Sequence, residues 1–478
     1  MKLQMSNDKT SQDLHLHTHA LFFCTAGHGM ERFVMQELTS KLSATHVESM
    51  PGKVFFNANA DLDSLRKVKS AERIFLLLHK GPPLSKYKSN DFLTLIGEPH
   101  SWLDTLQIWK QFQEQLTPQG ISHRQKYVLK RKLDISSTTS KAQMCKEETV
   151  VDKAHIESYE QTTPDNVTHL EPPQLPVADT ACPVSKPITF RVSCRCSAGY
   201  TKTMTAQDIS RNIGVSLAKR FGWKSDLRKP LLEVFVHLND MYSVVGFPIL
   251  RQPLANRGYI QSTGLRATTA WAMASLAEIS TAKHVLDPMC GVGTILVEAA
   301  MEWPHATFLG IDKSESQLKS ALDNVKKAGV MHSVALLKGS VLDLPVVSES
   351  IDIVISDIPF GKKFTCSRDM KELLPDIIHQ MERVLRIGGV LVLLLSQKLH
   401  HHLKTNFHFK SDEIERLQVP KLDSSSLSNS ESLNNKGQTA TDKLDFPSLT
   451  HIESHSVSLG VTEAVFFKCK KTSQTMFC

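Results

Sequence analysis

The stretch that decides the fold is Asp287-Pro288-Met289-Cys290-Gly291-Val292-Gly293-Thr294. It separates a predicted strand, His284 to Leu286, from a predicted helix that begins at Gly293. Glycines let a backbone turn tightly and approach a ligand, and the N-terminus of a helix offers free N–H groups. A single G-x-G is a weak signal, because ordinary turns have the same pattern. The residues around it must decide its role.

Strands and helices alternate strictly after this loop. Near-continuous apolar runs predict further strands over residues 307–311, 334–337, 351–356 and 390–395. Helical spacing predicts the helices between them, over 293–301, 314–328 and 369–385. This alternation is typical of a doubly wound, mostly parallel α/β sheet. Two strand-like runs, 455–459 and 463–470, are predicted to close the sheet as an antiparallel edge. We therefore expect a Rossmann-like domain over residues 259–478, with a disordered loop near 420–445.

Acidic residues end the strands beside the glycine loop. Asp312 ends the second predicted strand, 21 residues after Gly291, where a carboxylate can accept the hydroxyl groups of a ribose. The third position of a dinucleotide G-x-G-x-x-G pattern is Leu296 rather than glycine. An acid before the loop, Asp287, suits the cationic methionine group of S-adenosylmethionine better than a diphosphate. We therefore predict S-adenosylmethionine, with NAD as the alternative. The predicted cofactor-binding residues are Asp287, Cys290, Gly291, Gly293, Thr294, Asp312, Ser340 and Asp343.

A second motif, Ser356-Asp357-Ile358-Pro359-Phe360-Gly361, ends the fourth predicted strand. The exocyclic amine of a base is a poor nucleophile, because its lone pair is delocalised into the ring. A carboxylate and a carbonyl beside proline can accept its two N–H groups and orient the lone pair. An aromatic ring can stack on the face of an extruded base. Asp357, Pro359 and Phe360 are therefore the predicted catalytic residues.

Composition limits the class of protein. The chain has 478 residues, 41% of them hydrophobic, which is enough for two to four folded domains. Its longest strongly apolar run, Val390 to Leu395, is far shorter than the ~20 residues of a membrane-spanning helix, so we expect no membrane partner. Nine cysteines at irregular spacing predict a reducing compartment, the cytosol or nucleus. Three consecutive histidines, 400–402, have no accompanying ligand pattern, so no metal site is predicted.

The first half of the chain divides into two ordered parts. Residues 20–117 alternate strand-like and helix-like patterns, which predicts a small α+β domain. Residues 118–187 are polar and proline-rich and are predicted to be a flexible insertion. Their basic cluster Lys130-Arg131-Lys132 is a candidate nuclear import signal. A regular pattern of strands and helices resumes over 188–258. Between Lys186 and Arg257 the sequence has twelve Lys or Arg residues and only four Asp or Glu.

A locally basic domain is typical of nucleic-acid binding. The predicted RNA-binding residues are Arg191, Arg195, Lys202, Lys219, Arg220, Lys224, Arg228 and Arg257.

These motifs resemble the THUMP-domain class I RNA guanine-N2 methyltransferases. Class I enzymes that methylate exocyclic amines carry an acidic or amide residue, any residue, proline and an aromatic residue, as Asp357 to Phe360 do. Phe190 to Cys196, Phe221 to Lys224 and Asp226 to Arg228 resemble a THUMP domain that leads into such a catalytic domain. The resemblance implies a ferredoxin-like domain over 20–117, a THUMP core over 188–258 and a class I methyltransferase domain over 259–478.

The resemblance also implies a reaction and partners. The family forms N2-methylguanosine in structured RNA, here by resemblance the spliceosomal U6 small nuclear RNA, with tRNA as the alternative. It implies a small zinc-binding activator subunit as heterodimer partner. Nuclear localisation is expected, with the cytoplasm as the alternative. Adenine N6 or a protein glutamine as acceptor, and a non-catalytic RNA-binding protein, remain rival functions.

One position departs from the family pattern. Related enzymes usually carry an acid after the glycine that ends the third strand, whereas this chain has Ser340, with Asp343 three residues later. Either Ser340 makes a weaker contact to the adenine, or Asp343 reaches back to it.

Overall fold

The computed structural model describes residues 18–84, 99–116, 187–197, 205–360, 370–411 and 444–473. The insertion predicted over 118–187 lies outside the described residues, except for residue 187. Most of the disordered loop predicted near 420–445, and Lys202, lie outside them as well. None of the helices described has both the length and the apolar character needed to span a bilayer.

Within the described residues, an N-terminal sheet has eight strands in the order β2-β3-β1-β4-β8-β7-β5-β6. The strands are β1 Thr18–Thr25, β2 Thr45–Met50, β3 Lys53–Ala60, β4 Arg73–Gly81, β5 Thr189–Cys196, β6 Lys224–Ser225, β7 Leu232–Leu238 and β8 Ser243–Pro248. The helices of this region are α1 Glu31–Leu42, α2 Leu62–Arg66, α3 Pro99–Gln115 and α4 Ala206–Phe221. The sheet is continuous across the insertion, since β4 pairs antiparallel with β8 from Phe75↔Pro248 to Gly81↔Ser243. The ranges predicted as a ferredoxin-like domain and a THUMP core therefore share one sheet, which we call the N-terminal module.

Local sequence explains where α4 begins and ends. The Thr205 hydroxyl accepts the Asp208 backbone N–H, and the Asp208 side chain accepts the Thr205 backbone N–H, which forms a capping box. Gly222 then adopts φ +66, the left-handed conformation that ends many helices and that glycine adopts at little cost. The aromatic residue that follows, Trp223, is buried rather than exposed to a ligand.

Within the described residues, the C-terminal sheet has the order β11-β10-β9-β12-β13-β16-β15-β14. Its strands are β9 His284–Asp287, β10 Thr307–Asp312, β11 Val334–Lys338, β12 Ile351–Asp357, β13 Leu385–Ser396, β14 Phe407–Ser411, β15 Leu444–Leu459 and β16 Thr462–Lys471. Its helices are α5 Ala267–Leu276, α6 Thr294–Glu302, α7 Glu315–Ala328, α8 Met370–Val384 and α9 Gln397–Asn406. Strands β9 to β13 pair in parallel, and β16 pairs antiparallel with β13 and β15. The predicted doubly wound sheet is confirmed, and the predicted antiparallel pair is present as β15 and β16. This pair does not form the edge of the sheet, because β14, which the sequence did not predict, pairs in parallel with β15 outside it.

The N-terminal module packs directly on the C-terminal domain through α1 and the residue that precedes it. Met30 and Phe33 belong to a hydrophobic core made mostly by the C-terminal domain, and the Phe33 ring lies 5.6 Å from that of Phe466 on β16. Gly29, at φ +83, lets the chain approach β15, since a Cβ there would lie 2.1 Å from the Ser456 carbonyl oxygen. The two parts of the molecule are therefore held in one fixed arrangement.

A buried ion pair completes this contact. Arg257, in the segment that joins the two parts, pairs with Glu298 on α6 at 2.9 Å, and its side chain is only 6% exposed. Its guanidinium also donates to the Lys69 carbonyl oxygen of the N-terminal module at 2.8 Å. The Tyr259 hydroxyl donates to Glu298 at 2.6 Å. The Glu298 carboxylate thus accepts three hydrogen bonds, two from Arg257 and one from Tyr259, as a buried charge requires.

Candidate active site

Three aspartates meet at the carboxyl edge of the C-terminal sheet. Asp287, Asp312 and Asp357 end the strands β9, β10 and β12. Because β10 and β12 flank β9 in the sheet, these three carboxyl groups lie on adjacent strand ends. Helices fill the connections, so the crevice outside this edge is the usual ligand site of an open α/β sheet. The structure brings together the sequence-predicted cofactor and acceptor motifs.

The glycine loop lies between β9 and α6 in the conformation that its glycines favour. Gly291 has φ +51 and Gly293 has φ +76, both in the left-handed region. A Cβ on Gly293 would lie 3.2 Å from the Ala321 Cβ of α7, so the loop also packs closely there. The Gly293 N–H donates to the Cys290 carbonyl oxygen at 2.8 Å and closes the turn. The loop thus leads into the N-terminus of α6 without a side chain at either turn position.

Hydrogen bonds hold the Asp312 carboxylate at the loop. Oδ2 accepts the Gly291 backbone N–H at 2.9 Å, and Oδ1 accepts the Ser314 backbone N–H at 2.8 Å. A carboxyl group offers about four lone-pair sites, so two fixed donors leave room for two hydroxyl donors. This geometry fits the ribose contact that the sequence predicts for Asp312.

Asp287 is a buried acid, only 2% exposed. Its Oδ1 accepts the Ser356 hydroxyl at 3.0 Å and the Met289 backbone N–H at 3.2 Å. The pKa of Asp287 is raised to about 7. Burial is the main cause, the charges of Asp357 and Asp312 act in the same direction, and the two hydrogen bonds oppose them. The site therefore holds an acid whose charge is poorly compensated.

Asp357 is the second acid with a perturbed pKa. Burial raises its pKa to about 7. The following residue is fixed to the sheet, since the Ile358 N–H donates to the Leu394 carbonyl oxygen of β13 at 3.0 Å. Phe360 is partly buried and packs against a hydrophobic core of the domain. Two neighbouring carboxyl groups with raised pKa values are typical of a functional site rather than a structural ion pair.

The residues of the site fit a cationic cofactor. In the part of the chain that the structure describes, none of the ion pairs with Lys or Arg involves Asp287, Asp312 or Asp357. A sulfonium or ammonium group next to Asp287 would supply the missing positive charge, whereas a diphosphate would add negative charge. The donor set therefore fits S-adenosylmethionine and disfavours a dinucleotide.

Two predicted cofactor residues, Cys290 and Thr294, have buried side chains. The Cys290 side chain is buried and packs toward β10, since a Cβ on Gly310 would lie 3.0 Å from its sulfur atom. Thr294 is also buried, and its hydroxyl lies 3.1 Å from the position of a Cβ on Gly264. Both residues can therefore serve a cofactor through their backbone more readily than through their side chains.

Ser340 and Asp343 are both exposed and form a tight turn after β11. The Asp343 N–H donates to the Ser340 carbonyl oxygen at 3.2 Å, and the Ser340 hydroxyl accepts the Leu342 N–H at 3.2 Å. The Gly339 N–H donates to the Asp312 carbonyl oxygen at 3.1 Å, which attaches the turn to the ribose-site strand. Which of the two residues contacts the adenine stays a prediction.

Sequence reasoning missed residues that support the site. Ser356 belongs to the acceptor motif, and the sequence assigns it no role. In the structure its hydroxyl donates to the Asp287 carboxyl group. The fully buried Asn324 on α7 donates to the Val292 carbonyl oxygen at 2.9 Å and accepts the Gln261 N–H at 2.8 Å. Ser356 lies at the end of a predicted strand, and this position could have identified its role. Parallel pairing of β12 with β9 places the ends of the two strands, and hence Ser356 and Asp287, side by side. No sequence signal identified Asn324, whose partners lie in distant segments.

The predicted RNA-binding residues do not form a single patch. Arg195, Lys219, Arg220, Lys224 and Arg228 are exposed. The last four of these residues lie at the end of α4 and around β6. Arg195 lies on β5, six residues beyond Thr189, which pairs with Lys224 of β6. At about 3.3 Å per residue, Arg195 is roughly 20 Å from that pair. Arg191 is half-exposed and pairs with Glu233 at 3.2 Å.

The prediction for Arg257 is wrong. Its side chain is buried in the ion pair with Glu298 and is not available to a phosphate group. A count of positive charge along the chain does not distinguish a buried arginine from an exposed one.

The fold and the site together define a class I S-adenosylmethionine-dependent methyltransferase whose catalytic domain follows the N-terminal module. A protein-family profile described as "UPF0020: RMKL-like, methyltransferase domain" matches residues 255–419. The U6 snRNA (guanine-N(2))-methyltransferase THUMPD2 of Bos taurus is 44% identical over 95% of this chain and 96% of its own. The Homo sapiens protein of the same name is also 44% identical, over 95% and 96%. The chain belongs to the THUMPD2 family of methyltransferases.

Solved structures show the same fold at low identity. TrmN from Thermus thermophilus superposes with a TM-score of 0.59 at 16% identity and covers 94% of this chain and 99% of its own. SMU.472, described as a putative methyltransferase complexed with SAH, has a TM-score of 0.57 at 13% identity and covers 96% of this chain and 99% of its own.

A more distant sequence relative, the tRNA (guanine(6)-N(2))-methyltransferase THUMP3 of Bos taurus, is 25% identical over 80% of this chain and 81% of its own.

Proposed function

We propose that this protein transfers a methyl group from S-adenosylmethionine to the exocyclic N2 amine of a guanine in U6 small nuclear RNA. The observation that carries the proposal is the position of Asp357-Ile358-Pro359-Phe360, on the strand next to the buried Asp287 and the glycine loop. The choice of RNA follows the relatives that are 44% identical over almost the whole chain.

The cofactor supplies an electrophilic methyl carbon on a positively charged sulfur. On the protein side, Asp312 holds the ribose, and the backbone from Asp287 to Gly293 holds the methionine end. The buried Asp287 carboxylate would balance the positive charge of the cofactor. Away from solvent this electrostatic interaction is stronger than in water. Ser340 or Asp343 bounds the adenine side of the site.

The acceptor side is formed by the end of β12. The Asp357 carboxylate accepts one N–H of the amine, and the carbonyl beside Pro359 accepts the other. These two acceptors turn the nitrogen lone pair toward the methyl carbon, and Phe360 holds the base by its face. Bound S-adenosylmethionine would supply the methyl carbon while its sulfur kept the S–C electron pair, and the proton lost by the methylated nitrogen would pass through the Asp357 carboxylate, its hydrogen-bond acceptor, to solvent. Asp357 balances the positive charge that develops on the amine, which is electrostatic assistance rather than strong-base catalysis.

The test is nucleoside mass spectrometry after incubation of transcribed U6 RNA with the protein, the activator subunit that the family resemblance implies, and S-adenosylmethionine. We expect N2-methylguanosine in U6 RNA and little in a tRNA transcript. N2-methylguanosine in tRNA alone would favour the tRNA alternative, as the THUMP3 relatives would suggest. N6-methyladenosine would move the acceptor to adenine, and S-adenosylmethionine binding without product would support the non-catalytic alternative.

We also propose a protein partner, a small zinc-binding activator subunit. The support is that β11 is the terminal strand of the C-terminal sheet within the described residues, with Leu337 on it and Leu342 just after it each 41% exposed. An edge strand with exposed apolar side chains is suited to pairing with another chain.

Leu337→Glu should abolish co-purification with the activator. Leu227→Glu, at an exposed leucine of the N-terminal module, is the matched control.

We propose a nuclear location, which suits a U6 RNA substrate. The supporting feature is the basic cluster Lys130-Arg131-Lys132, which lies outside the described residues. Microscopy of a fluorescent fusion, with and without alanines at these three positions, tests it. A cytoplasmic wild-type fusion would contradict the proposal.

A further inference from the structure

The chain enters the C-terminal domain through residues 257–266, which we call the connector. Its two end residues both bind the loop between α2 and β4 of the N-terminal module. The Arg257 guanidinium donates to the Lys69 carbonyl oxygen at 2.8 Å. The Arg266 guanidinium donates to both carboxylate oxygens of Glu72. The connector is therefore attached at both ends to one loop of the other domain.

That loop is itself held by a buried acid. Glu37 on α1 is 1% exposed, and its carboxylate accepts the backbone N–H groups of Lys69 and Ser70, each at 2.8 Å. Glu72 follows in the same loop and donates its backbone N–H to the Thr25 carbonyl oxygen of β1 at 2.8 Å. Buried polar groups with hydrogen-bond partners make a rigid structure. The loop is thus a fixed anchor for the connector.

The middle of the connector lies against the glycine loop of the cofactor site. The Gln261 backbone N–H donates to the side-chain oxygen of Asn324, whose amide group donates to the Val292 carbonyl oxygen. Gly264 makes a second contact, since a Cβ there would lie 2.4 Å from Cγ2 of Val292 and 3.1 Å from the Thr294 hydroxyl oxygen. Only glycine allows so close an approach. The connector therefore supports the loop at the residue between its two glycines and at the first residue of α6.

Glu72 also holds the helix that follows the connector. Its Oε1 accepts the Thr268 hydroxyl at 3.0 Å, in the first turn of α5. Arg266 is the N-cap residue of that helix. Helix α5 packs in turn on α6, which begins at the glycine loop. One side chain of the N-terminal module thus holds the end of the connector and the start of the helix together.

We propose that Glu72 is a positioning residue for S-adenosylmethionine, although it belongs to the N-terminal module. It acts through Arg266 and the connector, which keep the glycine loop in the conformation that binds the cofactor. Glycine has the largest conformational freedom of all residues, so a loop with two glycines gains most from contacts that fix it. The inference goes beyond the proposed reaction, because it concerns cofactor binding alone and its tests use no RNA.

The first test is calorimetric titration of Glu72→Ala with S-adenosylhomocysteine, the demethylated form of the cofactor. We expect the dissociation constant to rise about fivefold or more, the size usual for residues coupled through a contact. Glu72→Gln keeps an acceptor oxygen for Thr268 and should raise the dissociation constant less. A wild-type dissociation constant for the Glu72→Ala protein would overturn the proposal.

A double-mutant cycle tests the route through Arg266. Arg266→Ala should raise the dissociation constant about as much as Glu72→Ala does. Combining the two substitutions should add little, because both remove the same contact. Losses that multiply in the double variant would contradict this route and with it the proposal.

Glu233→Ala is the matched control within the same module. The Glu233 side chain is 13% exposed, close to the 17% of Glu72. Its ion-pair partners, Arg73 and Arg191, lie outside the connector. This variant should lose stability in urea unfolding and yet bind S-adenosylhomocysteine as the wild type does. An equal loss of affinity would overturn the proposal, because any loosening of the module would then explain the effect.

Two glycines of the connector test its contact with the loop. Gly264→Ala forces a methyl group against Val292, so the loop must shift, and the affinity for S-adenosylhomocysteine should fall about tenfold. Gly258→Ala is the control, since a Cβ there would meet no neighbouring atom within 4 Å among the described residues. Equal affinities of the two variants would overturn the proposal. If Gly264→Ala does not fold, the Glu72 series decides, because that side chain is partly exposed.

Discussion

At the scale of single residues, the proposed reaction depends most on Asp357. Asp357→Ala removes an acceptor and the negative charge opposite the developing cation, so we expect single-turnover methyl transfer to fall by about 10² to 10³. Asp357→Asn keeps an acceptor oxygen and should lose less. S-adenosylmethionine and RNA binding, measured separately, should change little in both. Transfer by the alanine variant within threefold of wild type would leave Asp357 as a residue that only ends a strand.

The raised pKa values of Asp287 and Asp357 predict how stability depends on pH. Both groups have folded-state pKa values of about 7, above the ordinary value of 3.8. Between these values the folded protein binds more protons than the unfolded chain, so the free energy of unfolding should decrease as pH rises from about 4 to about 7. The measurement is urea unfolding of the cofactor-free protein across this range. Asp287→Asn/Asp357→Asn should show a flatter profile, and an identical profile would contradict the assignment.

Sequence reasoning succeeded where one short motif determines a local geometry. The glycines at 291 and 293, with Asp312 after them, predicted the turn, the start of the helix and a carboxylate next to the loop. It failed for Arg257, whose partners Glu298 and Lys69 lie 41 and 188 residues away in the chain. Long-range pairing of this kind leaves no periodic signal near the residue itself.

At the scale of elements, the helices and strands with strong apolar periods were predicted within a few residues. Helix α7, predicted over 314–328, is Glu315–Ala328, and its end coincides with Gly329 at φ +76. Strand β2 was not predicted, because all its residues are exposed or half-buried and no apolar alternation marks it. The continuity of the N-terminal sheet was not predictable either. It depends on the pairing of β4 with β8, across the 118–187 insertion.

The edge formed by β5 and β6 should bind RNA. Arg195→Glu/Lys224→Glu should weaken U6 RNA binding and lower the salt slope by about 1.4 to 1.8, because two phosphate contacts are lost. The cofactor affinity should not change, since both residues lie outside the C-terminal domain. Lys110→Glu, an exposed lysine on α3 of the same module, is the control for net charge. RNA binding indistinguishable from that control would remove this edge from the interface.

At the scale of the whole molecule, the two sheets act as one rigid unit because buried contacts join them. Arg257→Ala would leave the Glu298 carboxylate buried without its cation, which should cost about 3–5 kcal/mol of unfolding free energy. Denaturant unfolding measures this directly. Arg228→Ala, at an exposed arginine, should change stability by less than about 0.5 kcal/mol. A loss as small as that for Arg257→Ala would mean that the ion pair does not hold the two parts together.

A fixed arrangement of binding module and active site has a consequence for substrate choice. The RNA contacts that we expect around β5 and β6 would lie at a set distance from Asp357, so the fold of the RNA would have to place a guanosine at that distance. We therefore expect the molecule to select structured RNA rather than a base sequence alone.

The central claim is that the methyl group goes to the N2 amine of guanine, and inosine tests it directly because it lacks only that amine. U6 RNA is prepared with guanosine or inosine at each position that mass spectrometry finds methylated. Single-turnover transfer from labelled S-adenosylmethionine is then compared between the two RNAs. We expect transfer to the guanosine RNA and none to the inosine RNA, with equal binding of both. Equal transfer to the inosine RNA would contradict the claim.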